Sequence, residues 1–284
     1  MSANVRSIKG RIENIENIRQ ITKAMNAIAM TKVTRMKKRL LFTRPYLAET
    51  ESFLSRLLGR TAGKLAPHPL TLENGSPYVG VFVLNSDRGL CGRFKGDLNR
   101  KGEEILAGLR PQGKLLAGGE KARTHFARRS VEVLKTYSHL YEEPSLEDAT
   151  TIAADLVSFY REGAVGRVML VYMQFVSDLG QRVVAEDLLP IRVAATDGDD
   201  LIEPDPAGAL EFVVPFYLRV KILTALMETK TSEHAIRRQA MKSATDNADD
   251  LLVALTRSYN RARQQSITRE IADIMGGAEA LRER

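Results

Sequence analysis

Both ends of this chain carry helical periodicity that runs on without interruption, and few folds can accommodate that. In the first segment apolar residues fall at Ile8, Ile12, Ile15, Ile18, Ile21, Met25, Ile28, Val33, Met36 and Leu40, mostly three or four apart, which places them on one helical stripe. Between Ile8 and Leu40 there is no proline, and the only glycine is Gly10. Pro45 is the first residue expected to kink the helix or restart it, before the pattern resumes at Phe53, Leu54, Leu57 and Leu58. About 55 helical residues would span roughly 80 Å at 1.5 Å per residue. Toward the other end, with only Pro215 near its start, the stretch to Leu281 carries Val220, Leu223, Met227, Met241, Ala244, Ala248, Leu251, Leu255, Tyr259, Ala262, Ile267, Ile271 and Ile274 at similar spacing. Counted from Gly208, its ~74 residues would reach roughly 110 Å. A stripe sustained this far predicts a coiled coil. Ala240, Ala244, Ala248 and Ala262, facing Ala24, Ala27 and Ala29, would let the backbones approach closely.

What lies between the helices decides how they pair. The segment Thr61 to Pro77 holds Gly63, Pro67, Pro69 and Gly75 and reads as a connector. Tyr78 to Leu84 is a short apolar run with the character of a buried strand, followed by a turn, Asn85 to Gly92, and a helical pattern through Phe94, Leu98, Ile105 and Leu109. Lys114–Ala117 and Val131–Leu134 read as further strands around a helix at about 119–129, and Ser145 opens a helix to Arg161 with Glu147 and Asp148 in its first turn. This alternation predicts a mainly parallel sheet. Arg167–Val176 and Gln181–Val193 form a terminal hairpin, because so short a turn joins only antiparallel strands. Asp197 to Gly208 makes a second connector. The expected fold class is therefore α/β: a long antiparallel coiled coil of helices 1–60 and 208–284, with a Rossmann-like domain at 75–195 inserted between them. The C-terminal helix is expected to outrun its partner.

Charge divides unevenly over this plan. Residues 1–60 contain 13 Lys/Arg against 4 Asp/Glu, while the remainder contains 29 against 31, so the whole net +7 resides in the first helix. Such a field attracts nucleic acid, anionic lipid or an acidic protein surface, and charge alone does not choose among them. The basic run Arg35, Lys37, Lys38, Arg39 has no interleaved aromatics and no helix-turn-helix or finger pattern, which favours the acidic protein surface over nucleic acid. No stretch approaches the ~18–20 apolar residues of a membrane span, and no apolar run near Met1 resembles a signal peptide. The chain is accordingly expected to stay in the compartment where it is made. A single cysteine, Cys91, and four scattered histidines give neither an internal disulfide nor a metal-ligand spacing.

Motifs for chemistry are sparse. Ser86-Asp-Arg-Gly-Leu-Cys-Gly92 follows a strand and precedes a helix, where phosphate-binding loops sit, yet it matches neither G-x-x-x-x-G-K-[ST] nor G-x-G-x-x-G. A structural tight turn is the better reading, with Cys91 packed in it. Glu142-Glu143 and Asp199-Asp200 are adjacent acids in connectors, expected to be solvated. Ile267 to Ala278 places polar and charged residues in the protruding end of the C-terminal helix. An enzyme on the central domain and a basic coiled-coil adapter both stand as readings at this point.

Taken in order, a set of segments resembles the gamma subunit of F-type rotary ATP synthases. These are Ile8-Lys-Gly-Arg-Ile12 with Gln20-Ile-Thr-Lys-Ala-Met25, then Ser86 to Gly92, then Ser232-Glu-His-Ala235, Ala244-Thr-Asp-Asn-Ala248, Tyr259-Asn-Arg-Ala-Arg-Gln264, Ser266-Ile-Thr-Arg-Glu270 and Gly277-Ala278. The resemblance covers nearly the whole chain. It implies a rotating shaft with no bond chemistry or cofactor of its own, ATP and magnesium being bound by the alpha and beta subunits that surround it as a hexamer. It also implies a foot docked with the epsilon subunit on a ring of c subunits, one copy per complex, and a peripheral place on the cytoplasmic face of a bacterial inner membrane. By motif, Lys23 and Met25 match positions facing the beta subunits, and Arg237, Gln264, Thr268 and Glu270 match polar positions of coupling and hexamer contact. The chain departs from the family pattern after Met25, where it is more β-branched, and at Arg93-Phe-Lys after Gly92. Those departures bear on contact residues rather than on fold. With one cysteine, the dithiol insertion of chloroplast relatives is absent.

Overall fold

The computed structural model describes residues 3–61, 67–129, 131–139, 142–196, 203 and 205–282. In chain order these form α1 (Ala3–Thr61), β1 (Val79–Leu84), α2 (Phe94–Gly108), β2 (Gly113–Gly118), α3 (Glu120–Phe126), β3 (Glu132–Tyr137), α4 (Leu146–Arg161), β4 (Arg167–Phe175), β5 (Gln181–Leu189) and α5 (Pro206–Arg282). Gly63 of the first expected connector and Asp199-Asp200 of the second lie outside the described residues.

Helix α1 passes Pro45 without restarting. A proline frees the carbonyl four residues back, here that of Leu41, and both residues lie on an exposed side of the helix where water can take that bond. Helix α4 opens on the expected serine. Ser145 Oγ accepts from the Asp148 amide at 3.1 Å, and the Ser145 amide donates to Asp148 Oδ2 at 2.8 Å, a reciprocal capping box. Helix α5 opens behind Asp205, whose Oδ1 accepts from the Gly208 amide at 2.9 Å, with Pro206 where a missing N–H costs nothing.

The five strands run in the order β3-β2-β1-β4-β5. The first four are parallel, and β5 returns antiparallel to β4 through the short turn after Phe175, as the alternation and the hairpin spacing predict. Some boundaries differ, the helix expected at about 119–129 running only Glu120–Phe126. Strand β3 extends to Tyr137, past the apolar run at 131–134, because its later residues pair with β2 and the Tyr137 ring lies 5.4 Å from that of Phe82. Strand β5 ends at Leu189, before Val193. Strand alternation then sorts the core: Val81 and Val83 face α2 and α3, while Phe82 and Leu84 face α4, Leu54 and Leu57 of α1, and Val214, Leu218 and Ile222 of α5.

Packing groups the chain into two units, Met1–Ile28 with Arg238–Arg284, and Ala29–Arg237. The second contains the sheet together with the later part of α1 and the first part of α5, so the terminal helices supply core to the expected insert. The first is an antiparallel helix pair, with Thr245 set against Thr22 at 2.9 Å and Arg19 against Asp249 at 2.5 Å. Its seam follows the expected stripe at Ile8, Ile12, Ile15, Met25, Met241, Ala248, Leu255, Tyr259 and Ala262 but leaves it elsewhere. After Ile15 the more buried positions are Arg19, Thr22, Met25 and Asn26, whereas Ile18, Ile21 and Ile28 are 48%, 59% and 60% exposed. On α5 the partly or fully buried row runs through Met241, Thr245, Ala248, Leu252, Leu255, Tyr259 and Ala262, while Leu251, Ile267, Ile271 and Ile274 are exposed. Ala24 and Ala27 are exposed too, so they are not small residues of the seam. The polar contacts at Thr22 and Arg19 set the facing surfaces there, and Ile18, Ile21 and Ile28 are turned outward. No helix among the described residues is long and apolar enough to cross a membrane.

Candidate functional site

In a doubly wound sheet, ligands bind beyond the carboxyl ends of the strands where the crossovers change direction. Here that point lies between β1 and β4, because α2 and α3 carry the chain outward to β3 and α4 brings it back to the other side of β1. The crevice is filled by the chain's own α5. Ser232 Oγ donates to the Met173 carbonyl at 3.2 Å, and Ile236 packs among Val83, Cys91, Val171 and Met173. A Cβ added to Gly92 would stand 3.2 Å from Ile236 Cγ2.

The turn that resembled a phosphate loop is occupied by internal bonds. Asn85 Nδ2 donates to Asn99 Oδ1 at 2.7 Å, and the Lys121 amide donates to the Ser86 carbonyl at 2.9 Å. Asp87 Oδ1 accepts from the Glu120 amide at 2.9 Å and from the His139 amide at 3.2 Å. The start of α3 thus holds a carboxylate of the protein itself. Cys91 is buried beside Ser86. The geometry is that of a structural turn.

The α5 segment in the crevice is polar and buried on every side, from Glu228 to His234. Glu228 accepts from Arg44 Nε at 2.6 Å, from Arg44 Nη2 at 2.8 Å and from the Phe175 amide at 2.8 Å. The bond to Glu228 raises the Arg44 pKa above its ordinary value. Glu233 lies between Lys230, at 2.9 Å, and Arg237, at 2.7 Å. Burial pushes the Glu233 carboxyl up, but the two cations together outweigh it and hold it below the usual range. His234 is pushed down to about 4, chiefly by burial and further by Arg237, Lys230 and Lys32, with Glu233 opposing. Its Nδ1 faces Arg237 Nη1 at 3.3 Å, the place of an acceptor on a neutral ring. A run of charged and hydroxyl residues where an apolar stripe should continue was the available signal for this cluster, and periodicity reasoning passed over it.

Part of the basic face of α1 is answered within the chain. Lys32 and Arg88 approach Glu142 at 3.9 and 3.0 Å, Arg35 approaches Glu143 at 3.1 Å, and Lys37 approaches Asp178 at 3.0 Å. Glu142 and Glu143 are therefore not merely solvated connector acids, since they tie the segment before α4 to α1. Among the described residues no group of three or more His, Cys, Asp or Glu side chains could hold a metal ion.

The residues singled out by resemblance fall in different places. Lys23 is exposed and Met25 half-buried on α1. Gln264, Thr268 and Glu270 are exposed on α5, where Glu270 accepts from Ser266 Oγ at 3.1 Å. The antiparallel register places Lys23 and Met25 near Thr245, so Gln264 lies roughly 30 Å farther along the pair at 1.5 Å per residue. Arg237 is half-buried in the other unit and turned inward, donating to the Gly89 carbonyl at 3.3 Å and to Glu233.

Comparison with known proteins agrees with this architecture over its full length. Residues 4–281 match the ATP synthase family. The chain is 38% identical to the ATP synthase gamma chain of Mycolicibacterium smegmatis, over 99% of both chains, and 36% identical to that of Moorella thermoacetica, over 99% of this chain and all of the relative. Among solved structures, the fold is similar to a chain of the Euglena gracilis mitochondrial ATP synthase rotor, with a TM-score of 0.64, 17% identity, and 93% of this chain and 99% of that one covered. An antiparallel helix pair, a doubly wound sheet whose ligand crevice is closed by α5, and relatives matched along their entire length lead to one conclusion: this chain belongs to the ATP synthase gamma chain family.

Proposed function

We propose that the chain is the central rotor shaft of an F-type ATP synthase, coupling ion flow through the membrane sector to ATP synthesis or hydrolysis at the alpha and beta subunits by rotation. The observation that carries this reading is the inverted helix pair of Met1–Ile28 and Arg238–Arg284. It places Thr22 and Arg19 toward its seam and turns Ile18, Ile21, Ile28, Leu251, Ile271 and Ile274 outward. Apolar rows of this kind on a soluble helix pair suit a surface that encloses them. The alpha and beta subunits supply that enclosure, with ATP and magnesium bound there and no cofactor on this chain. The filled crevice between β1 and β4 supports a subunit without a catalytic site of its own. Lys23, Met25, Gln264, Thr268 and Glu270 are assigned as contact residues toward the hexamer, and Arg237 as a coupling residue that acts from inside the chain. The foot docks with the epsilon subunit on the c ring, which sets the chain at the cytoplasmic face of a bacterial inner membrane through the complex alone. Pairing of Lys32, Arg35, Lys37 and Arg44 with acids of the same chain speaks against a nucleic-acid adapter. The test is co-purification: the tagged chain expressed with its neighbouring genes is expected to emerge in an ATPase-active complex with alpha and beta subunits. Emergence alone overturns the reading.

A further inference from the structure

Strand β4 outruns β1. The last pairing between them is Val83 with Val171, so at Phe175 the edge of β4 has no strand beside it on that side. Two side chains close the gap. The Phe175 amide donates to Glu228 Oε2 at 2.8 Å, and Arg44 Nη2 donates to the Phe175 carbonyl. Arg44 and Glu228 are in turn bound to each other through two nitrogens and two oxygens, at 2.6 and 2.8 Å. One pair thus joins α1, α5 and the end of the central sheet at a single point. The Glu228 side chain is 4% exposed.

Around this point the packing is apolar, from Val33, Leu40, Phe175, Met227 and Ala235. Apolar surfaces set few limits on how a helix is turned about its own axis, whereas a two-pronged guanidinium–carboxylate contact admits one arrangement. The carboxylate end of the pair is buried while the Arg44 side chain is 43% exposed. An ion pair anchored on a buried group adds little net stability over apolar side chains of similar volume, and its best-attested use is to fix register. We infer that Arg44 and Glu228 are positioning residues, a key that fixes the azimuth of α5 against α1 and the end of β4. Arg44, Glu228 and Phe175 all belong to the Ala29–Arg237 unit, so the key fixes the first part of α5 against α1 and the sheet within that unit. The inference rests on the rotor reading above, because only a shaft makes azimuth a functional quantity.

The experiment uses the assembled complex in closed vesicles, with two readouts: the rate of ATP hydrolysis and the ion gradient built per ATP hydrolysed. Arg44→Met with Glu228→Met removes the key and keeps apolar volume. It is expected to lower thermal stability modestly, because the Phe175 amide and carbonyl lose these partners. Hydrolysis by the assembled complex is expected to stay close to that of the parent, while the gradient per ATP falls by about threefold or more, the size of a typical coupling effect. Arg44→Lys, which keeps the charge and loses the two-pronged geometry, is expected to give a smaller loss in the same direction. An assembled double variant with an unchanged gradient per ATP overturns the inference. If the double variant does not assemble, Arg44→Lys decides by the same ratio, and failure of both to assemble overturns it in favour of a role in assembly. A parent chain that joins no ATPase-active complex overturns the rotor reading itself, and that result is read before any variant.

Discussion

Thr245 Oγ1 stands 2.9 Å from Thr22 Oγ1, joining two helices at residues 223 positions apart in the sequence. Thr22 passes the bond on, donating to the Arg19 carbonyl at 3.0 Å, and Arg19 itself reaches Asp249 at 2.5 Å one turn along. The antiparallel register of the pair is therefore set by polar groups, which accept one alignment where a row of isoleucines would accept several.

A single substitution, Thr22→Val or Thr245→Val, leaves the remaining hydroxyl without its partner at the seam. Each is expected to destabilise the helix pair by about 1–2 kcal/mol, and the double variant by less than the sum of the two. Amide exchange in the 15–28 and 240–255 segments of the full chain reads this directly. Additive losses would show that the hydroxyls act independently.

The Glu142 and Glu143 pairs are of the opposite kind. Their partners Lys32, Arg35 and Arg88 are substantially exposed, so solvent screens the attraction. Glu142→Gln with Glu143→Gln is expected to cost less than about 1 kcal/mol, and that difference is expected to vanish in about 1 M salt. Denaturant midpoints at low and high salt measure it. A loss that persists at high salt would mean these acids do more than pair charges.

Much of this fold is written in short-range signals. The cap residue Ser145 marks an element end locally, and the β-branched run at 79–84 needs no partner to read as a buried strand. The seam is different. Ile18, Ile21 and Ile28 continue the apolar period of Ile8, Ile12 and Ile15, and nothing local shows that the buried row steps aside to Arg19 and Thr22, because that choice depends on Asp249 and Thr245 far along the chain. The same holds at Glu228. Its polarity is visible in the sequence, but the vacancy it fills exists only because β4 is longer than β1 and Arg44 faces it across the pair. Arg237 was legible as a motif position, whereas its inward bond to Gly89 required the folded turn.

Gly119 tests the structural reading of the 86–92 turn. Its φ is +85°, and a Cβ there would stand 2.5 Å from the Asn85 carbonyl oxygen, a backbone atom that cannot swing away. Gly119→Ala is expected to cost more than about 2 kcal/mol, whereas Gly89→Ala, with open space around the added methyl, is expected to stay within about 0.5 kcal/mol. Thermal unfolding of both variants separates the two positions. Equal behaviour would remove the argument that Gly119 is held by close approach to β1's exit.

His234 gives the fold a pH dependence whose sign is fixed by burial. Its folded-state pKa is lowered to about 4 from an ordinary 6.5, so the unfolded chain takes up this proton before the folded one does. The contribution is complete above the unfolded value and is lost as pH falls from about 6.5 toward about 4, on the order of 3 kcal/mol in all. Glu233 beside it is also depressed, and as a carboxyl its contribution is lost as pH falls from the ordinary carboxylate range down through its lower folded-state value. Between about pH 7 and about pH 5 the full chain is therefore expected to lose about 2 kcal/mol through His234 alone. His234→Gln, which cannot take the proton, is expected to flatten that part of the profile without abolishing the more acidic fall that belongs to Glu233. Denaturant unfolding across this range decides it, and a His234→Gln profile as steep as the parent's between about pH 5 and 7 would place the titrating group elsewhere.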